Sequence, residues 1–306
     1  MSRPHTKPHA LVHLACSALF APILTLVATT SMTAAQGPVR VSVSSFGVQG
    51  NGPSGSPSVS ADGRYVAFAS TATNLVIGDT NGTSDVFVHD SLLGTTRRVS
   101  VDSQGIQIGG GNPSSANSVQ LSADGSVVAF TSAGIRIHDL TTGLTTGPVF
   151  ISTTFSLSAN GRHLAAKVGT GLRAHDRVTG MLTDLLVSPQ AHEDVDDFVL
   201  SETGRYLAYI TNPTTSTGPN AQVRVLDRDV DGNGVFDEPG STTRIVIAVQ
   251  VPLPPPTCCI GYSFLRMSAS GRFIHYQDDY FGDFYRYDRD ADANGVLDEP
   301  GSSLSP

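Results

Sequence analysis

The chain is 306 residues long, with 19 Lys and Arg against 27 Asp and Glu, for a formal net charge of −8. Charged residues make up 15% and hydrophobic residues 39%, which supplies a core and excludes global disorder. An acidic balance without any basic run excludes a nucleic-acid binder, and the lack of Trp excludes a tryptophan-based sugar or base platform.

Arg3 and Lys7 are the only charges before Arg40. They precede an apolar stretch from Leu11 to Val27 and then small residues ending at Ala34-Ala35. A positive start, an apolar middle and a small-residue exit read as a cleavable signal peptide over residues 1–35. His13 and Pro22 break up a stretch that is already marginal for the ~20 residues of a membrane span. The expectation is a secreted or periplasmic protein with one domain over 36–306 and no membrane span in the mature chain.

A repeat organises that domain. Ser60-Ala61-Asp62-Gly63-Arg64-Tyr65-Val66-Ala67-Phe68 recurs from Ser122, Ser158, Ser201 and Ser268, each time with a polar pair ending in Gly. Asp-Gly and Asn-Gly pairs suit tight hairpin turns because both central residues can take positive φ. Short alternating runs precede each turn, and β-rich runs such as Tyr206-Leu207-Ala208-Tyr209 follow it. A third run ends in Asp each time, at Asp90, Asp139, Asp176, Asp227 and Asp288, and a fourth leaves it, as in Arg98-Val99-Ser100-Val101 and Arg244-Ile245-Val246-Ile247. Four antiparallel strands per unit predict an all-β chain of β-propeller blades.

These motifs resemble TolB-like, WD-repeat-like propeller repeats, over roughly residues 40–300. The resemblance implies a propeller of the kind found in bacterial periplasmic and secreted proteins, and says little about ligand. Five blades are favoured, with six as the alternative. Arg40-Val41-Ser42-Val43 matches Arg98-Val99-Ser100-Val101, so the N-terminal strand is expected to close the propeller by pairing with Phe284–Asp288.

After Asp227 and Asp288 the short turn is replaced by two acidic loops. Asp229, Asp231, Asn233 and Asp237, and their counterparts Asp290, Asp292, Asn294 and Asp298, alternate with other residues around a sixth-position Gly. Oxygen side chains at that spacing, completed by the Val235 and Val296 carbonyls, are how an EF-hand-like loop wraps a hard cation. Structural Ca²⁺ is the expected cofactor, held weakly because Gly240 and Gly301 stand where the bidentate Glu belongs. Asp79 to Asp85 forms a shorter string of the same kind, read chiefly as an ordinary turn.

Other clusters carry bland readings. His89, His138 and His175 occupy one place in three different units, which suits a strand-end role better than a shared metal. His192 to Asp197 reads as a solvated acidic loop. Cys258 and Cys259 are adjacent, so a strained vicinal bridge and two free thiols both stay open. Asp278, Asp279, Tyr280 and Phe281 fall between strands of the fifth unit, where flat apolar surface beside carboxylates could orient a ligand. No Gly-x-Ser-x-Gly elbow, His-Glu-x-x-His or phosphate-binding Gly loop occurs. The functional expectation is a non-catalytic propeller that binds a protein or glycan through one face. The alternative is a lactonase-like or glycan-active propeller enzyme with its site at the central channel.

Overall fold

A computed structural model describes residues 37–111, 118–186, 193–213, 222–237, 244–249, 262–278, 282–290 and 292–297. Every described strand lies within the unit Arg40–Pro306. Among the described residues no helix is long and apolar enough to cross a membrane.

Five antiparallel sheets follow one another along the described chain. Sheet one contains β1 (Ser54–Val59), β2 (Tyr65–Ser70), β3 (Asp85–Asp90) and β4 (Thr95–Arg98). Sheet two contains β5 (Val119–Leu121), β6 (Val127–Thr131), β7 (Ile135–Asp139) and β8 (Thr145–Phe150). Sheet three contains β9 (Phe155–Leu157), β10 (His163–Val168), β11 (Gly171–Asp176) and β12 (Leu182–Leu186). Sheet four contains β13 (Glu193–Leu200), β14 (Tyr206–Pro213), β15 (Gln222–Asp227) and β16 (Arg244–Val249). Sheet five has three strands, β17 (Tyr262–Met267), β18 (Phe273–Asp278) and β19 (Phe284–Asp288). Each third strand ends on the Asp that the repeat predicts.

Alternation explains the core. Successive side chains on a strand point to opposite faces, so the two middle strands of each sheet feed two interfaces. Ala67, Ala69, Val86 and Val88 of sheet one meet Val119, Leu121, Val128 and Phe130 of sheet two. Ala129, Ile135 and Ile137 on the other side of sheet two meet Phe155, Leu164 and Ala166 of sheet three. The same exchange places Leu172 and Ala174 against Phe198 and Leu200, and Val223 and Val225 against Leu265 and Ile274.

Polar contacts repeat with the same rhythm. In the first turn, the Ser60 hydroxyl donates to Asp62 Oδ1 at 2.6 Å and accepts from the Tyr65 N–H at 2.9 Å. Ser122 and Ser158 repeat this pattern on Asp124 and Asn160. The Arg that follows the Gly pairs with the Asp ending the third strand, as Arg64 with Asp90, Arg162 with Asp176, Arg205 with Asp227 and Arg272 with Asp288. Ser126 replaces that Arg in sheet two, and Arg177 of sheet three takes Asp139 instead, at 2.9 Å.

Neighbouring sheets are also stitched through backbone. Ala61 N–H donates to Ala123 O, Ala123 to Ala159 O, Asn160 to Glu202 O and Glu202 to Ala269 O. First strands add a second seam, in which Ser58, Gln120, Ser156 and Asp197 side chains accept from the N–H groups of Leu121, Leu157, Leu200 and Leu265. Gly204 allows close approach at one junction: its φ is +82°, and a Cβ there would lie 2.7 Å from His163 Cδ2.

Two expectations are corrected. Arg40–Ser44 does not pair with β19, whose only strand partner among the described residues is β18. Gly47, at φ +75°, turns the segment back on itself instead. Ser44 N–H then donates to Val48 O, Gly50 N–H donates to Ser42 O, and Thr96 Oγ1 of β4 donates to Val43 O. Residues 98–108 form the same hairpin, with Asp102 N–H on Ile106 O and Ile108 N–H on Ser100 O. Glu193 to Asp197 is not a loop but the start of β13, because Val195 and Phe198 are buried and pair with Thr211 and Tyr209. His192 lies outside the described residues.

Candidate functional site

The acidic loop after β15 closes on itself. Asp229 is 4% exposed, and its Oδ2 accepts the Gly234 N–H at 3.1 Å. Asp231 Oδ1 accepts the Asn233 N–H at 3.3 Å, and Asn233 Oδ1 accepts the Val235 N–H at 2.7 Å. The loop after β19 repeats these bonds through Asp290, Asp292 and Asn294, at 3.2, 3.4 and 2.7 Å. Even the fourth position keeps its left-handed backbone, as Gly232 at φ +72° and Ala293 at φ +59°.

The ninth position departs from the expected ligand set. Asp237 pairs with Arg228, whose Nη2 is 2.5 Å from Asp237 Oδ2. Arg228 and Asp237 side chains are 2% and 3% exposed, so the pair is sealed from water. A buried guanidinium needs a counter-charge, and Asp237 supplies one. Asp298 lies outside the described residues. Among the described residues no three His, Cys, Asp or Glu side chains converge as a metal cluster, in keeping with this departure.

The shorter Asp79–Asp85 string carries its own cation. Gln107 Nε2 donates to Asp79 Oδ1 at 2.9 Å and Asp85 Oδ2 at 2.7 Å, while Ser100 Oγ donates to Asp85 Oδ1. Arg98 Nη1 lies 3.8 and 3.9 Å from the two carboxylates. Burial raises the Asp85 carboxyl above its ordinary value, against the pull of Ser100 and Gln107. Sequence reasoning missed Gln107, although Gln49 stands at the matching place of the first hairpin.

The histidines do not share a site. His89 Nδ1 meets Thr96 Oγ1 at 2.9 Å and His138 Nδ1 meets Thr145 Oγ1 at 2.8 Å, each within its own sheet. Burial lowers the proton affinity of His89, His138 and His175. These are strand-end positions, as the repeat implies.

Asp278 ends β18 opposite Tyr262, while Asp279, Tyr280, Phe281, Cys258 and Cys259 lie outside the described residues. The described surface offers a different apolar feature. A groove of about 520 Å³ beside β4 is lined by Phe46, Val48, Leu75, Val76 and Ile77, with Ser45, Asn74 and Thr96 as polar neighbours. Phe46 and Ile77 are 86% and 93% exposed.

The fold has solved counterparts. The β-propeller domain of Myceliophteria thermophila Cps50 (Swd1) superposes with a TM-score of 0.50 at 15% identity, covering 83% of this chain and 71% of that one. The fold is a β-propeller. A protein assigned as TolB from Agrobacterium tumefaciens is also similar, with a TM-score of 0.45, 16% identity, and coverage of 83% of this propeller chain and 80% of its own. Hydrazine synthase of Kuenenia stuttgartiensis gives 0.49 at 14% identity over 79% of this chain, which spans 65% of that one. No family model and no curated protein matches the sequence.

Proposed function

We propose that this propeller is a secreted, non-catalytic protein that binds a protein or glycan partner through one face. The observation that carries the reading is the groove beside β4, where Phe46 and Ile77 stand in water. Burying such side chains against a partner contributes ~1.5–3 kcal/mol each. Phe46 is particular to its hairpin, because the repeat places Gln104 at the matching position.

The wider repeat supports this division of labour. Its Ser, Asp and Arg side chains are taken up in turns and sheet-to-sheet seams, which leaves recognition to connections. Asn74 to Ile77 belong to the connection between the second and third strands of sheet one. Asp278 reaches the corresponding end of sheet five, so Asp279, Tyr280 and Phe281 are proposed as further contact residues.

The test uses the full chain expressed in a secreting host. N-terminal sequencing should place the mature start after Ala35. The secreted protein, immobilised, is then probed with panels of extracellular glycans and secreted proteins. Saturable binding of one class supports the reading; an uncleaved product, or no binding to either panel, overturns it.

A further inference from the structure

We infer that the two acidic loops are separate Ca²⁺ sites, each built by three side chains and one carbonyl: Asp229, Asp231, Asn233 and the Val235 carbonyl, and Asp290, Asp292, Asn294 and the Val296 carbonyl. The ninth-position Asp of the first loop, Asp237, is left out of the shell because it pairs with Arg228. Spacing alone does not carry this. The deciding observation is that Asp229 Oδ1 and Asp290 Oδ1 are buried and meet no hydrogen-bond donor among the described residues. Both carboxylates belong to side chains only 4% exposed.

A buried carboxylate oxygen without a donor costs free energy, and a native structure rarely tolerates one. Here the same oxygen is orphaned twice, in two loops that share their backbone path. The other oxygen of each carboxylate is fixed by the sixth-position Gly N–H, which holds the group inside its loop. A buried oxygen with no donor, on a carboxylate already tied to an N–H of its own loop, is the arrangement a cation completes. Asp231, Asn233, Asp292 and Asn294 are exposed, so an ion can enter without the sheet opening.

The donors are all oxygens, at the first, third, fifth and seventh positions that Ca²⁺ loops use. Water fills the remaining coordination places. Two features make the sites weak. The ninth carboxylate of the first loop is committed to Arg228, and Arg272 Nη1 stands 3.2 Å from Asp290 Oδ2. Affinity should therefore fall near the ~10⁻⁴–10⁻³ M of extracellular modules.

The experiment is calorimetric titration of CaCl₂ into the chelator-treated full chain, with bound metal counted after equilibrium dialysis. Wild type should take up two Ca²⁺, Asp229→Asn one, and the Asp229→Asn, Asp290→Asn double variant none. Asn preserves shape, and a cooperative melt without calcium checks that the variants fold. If either fails that check, Asp231→Asn and Asp292→Asn, at exposed positions, take their place with the same expected counts. A wild type that binds no Ca²⁺ at 10 mM, about tenfold above the weakest affinity stated, overturns the inference. So does a double variant that still binds two.

Discussion

Arg228 and Asp237 form an ion pair that faces almost no water, and it fastens the acidic loop to two sheets at once. Arg228 Nη1 donates to Gly204 O of its own sheet at 2.7 Å. The guanidinium also lies 5.3 Å from the centroid of Phe236, whose ring stacks on His163 of sheet three at 4.8 Å. One charged residue thus joins a turn, a loop and a neighbouring sheet.

Removing one partner of that pair should be severe. Asp237→Ala strands a buried guanidinium, and such losses run to ~3–5 kcal/mol. Urea unfolding of this variant should show a much lower midpoint than wild type. An unchanged midpoint would mean that water reaches Arg228 freely.

Two glycines separate backbone strain from sheet contact. Gly63 and Gly204 have φ of +72° and +82°, but a Cβ on Gly63 meets nothing within 4 Å. Ala at either position pays the left-handed conformation, roughly 1–2 kcal/mol. Gly204→Ala must also displace His163, which is backed by Phe236, and overpacking adds ~1–3 kcal/mol. Parallel chemical denaturation of both variants should show the larger loss for Gly204→Ala. Equal losses would contradict the close approach of sheets three and four.

Acid should destabilise the protein in two stages. Burial lowers His138 and His163 from the usual 6.5 to about 4, helped by the charges of Arg97 and Arg228 respectively. Between those values the unfolded chain binds more protons than the folded one, so stability falls as pH drops from 6.5 towards 4. Asp90 is held at about 2 instead of 3.8 by its bond with Arg64, so its contribution is lost as pH falls through that lower window. Unfolding free energies measured from pH 7 to pH 2 should show both declines. A flat profile between pH 7 and pH 4.5 would contradict the buried, neutral state of the two histidines.

Legibility followed the range of the interaction. The Ser-x-Asp-Gly turn could be read because Ser60, Asp62, Gly63 and Tyr65 bond within six consecutive residues. Third strands could be read because β-rich alternation ends on an Asp each time. Asp237 could not, since its partner is chosen by the burial of Arg228 against Gly204, a contact 24 residues away in sequence. Asp197 was masked by its acidic neighbours, although Val195, Phe198 and Leu200 carried the strand signal. The N-terminal segment reads as a closing strand only if its match stops at residues 98–101; the match continues from Gly47 and Gln49 to Gly105 and Gln107, and that continuation is the turn.

The propeller's proposed role as a binding protein is tested most directly by comparing wild type with Phe46→Ser, Ile77→Ser against whichever glycan or protein the panels return. Both side chains are exposed, so melting temperature should stay unchanged while affinity falls by about tenfold or more, equivalent to ~1.4 kcal/mol. Equal affinity in the two proteins would contradict the assignment of the β4 groove as the recognition surface.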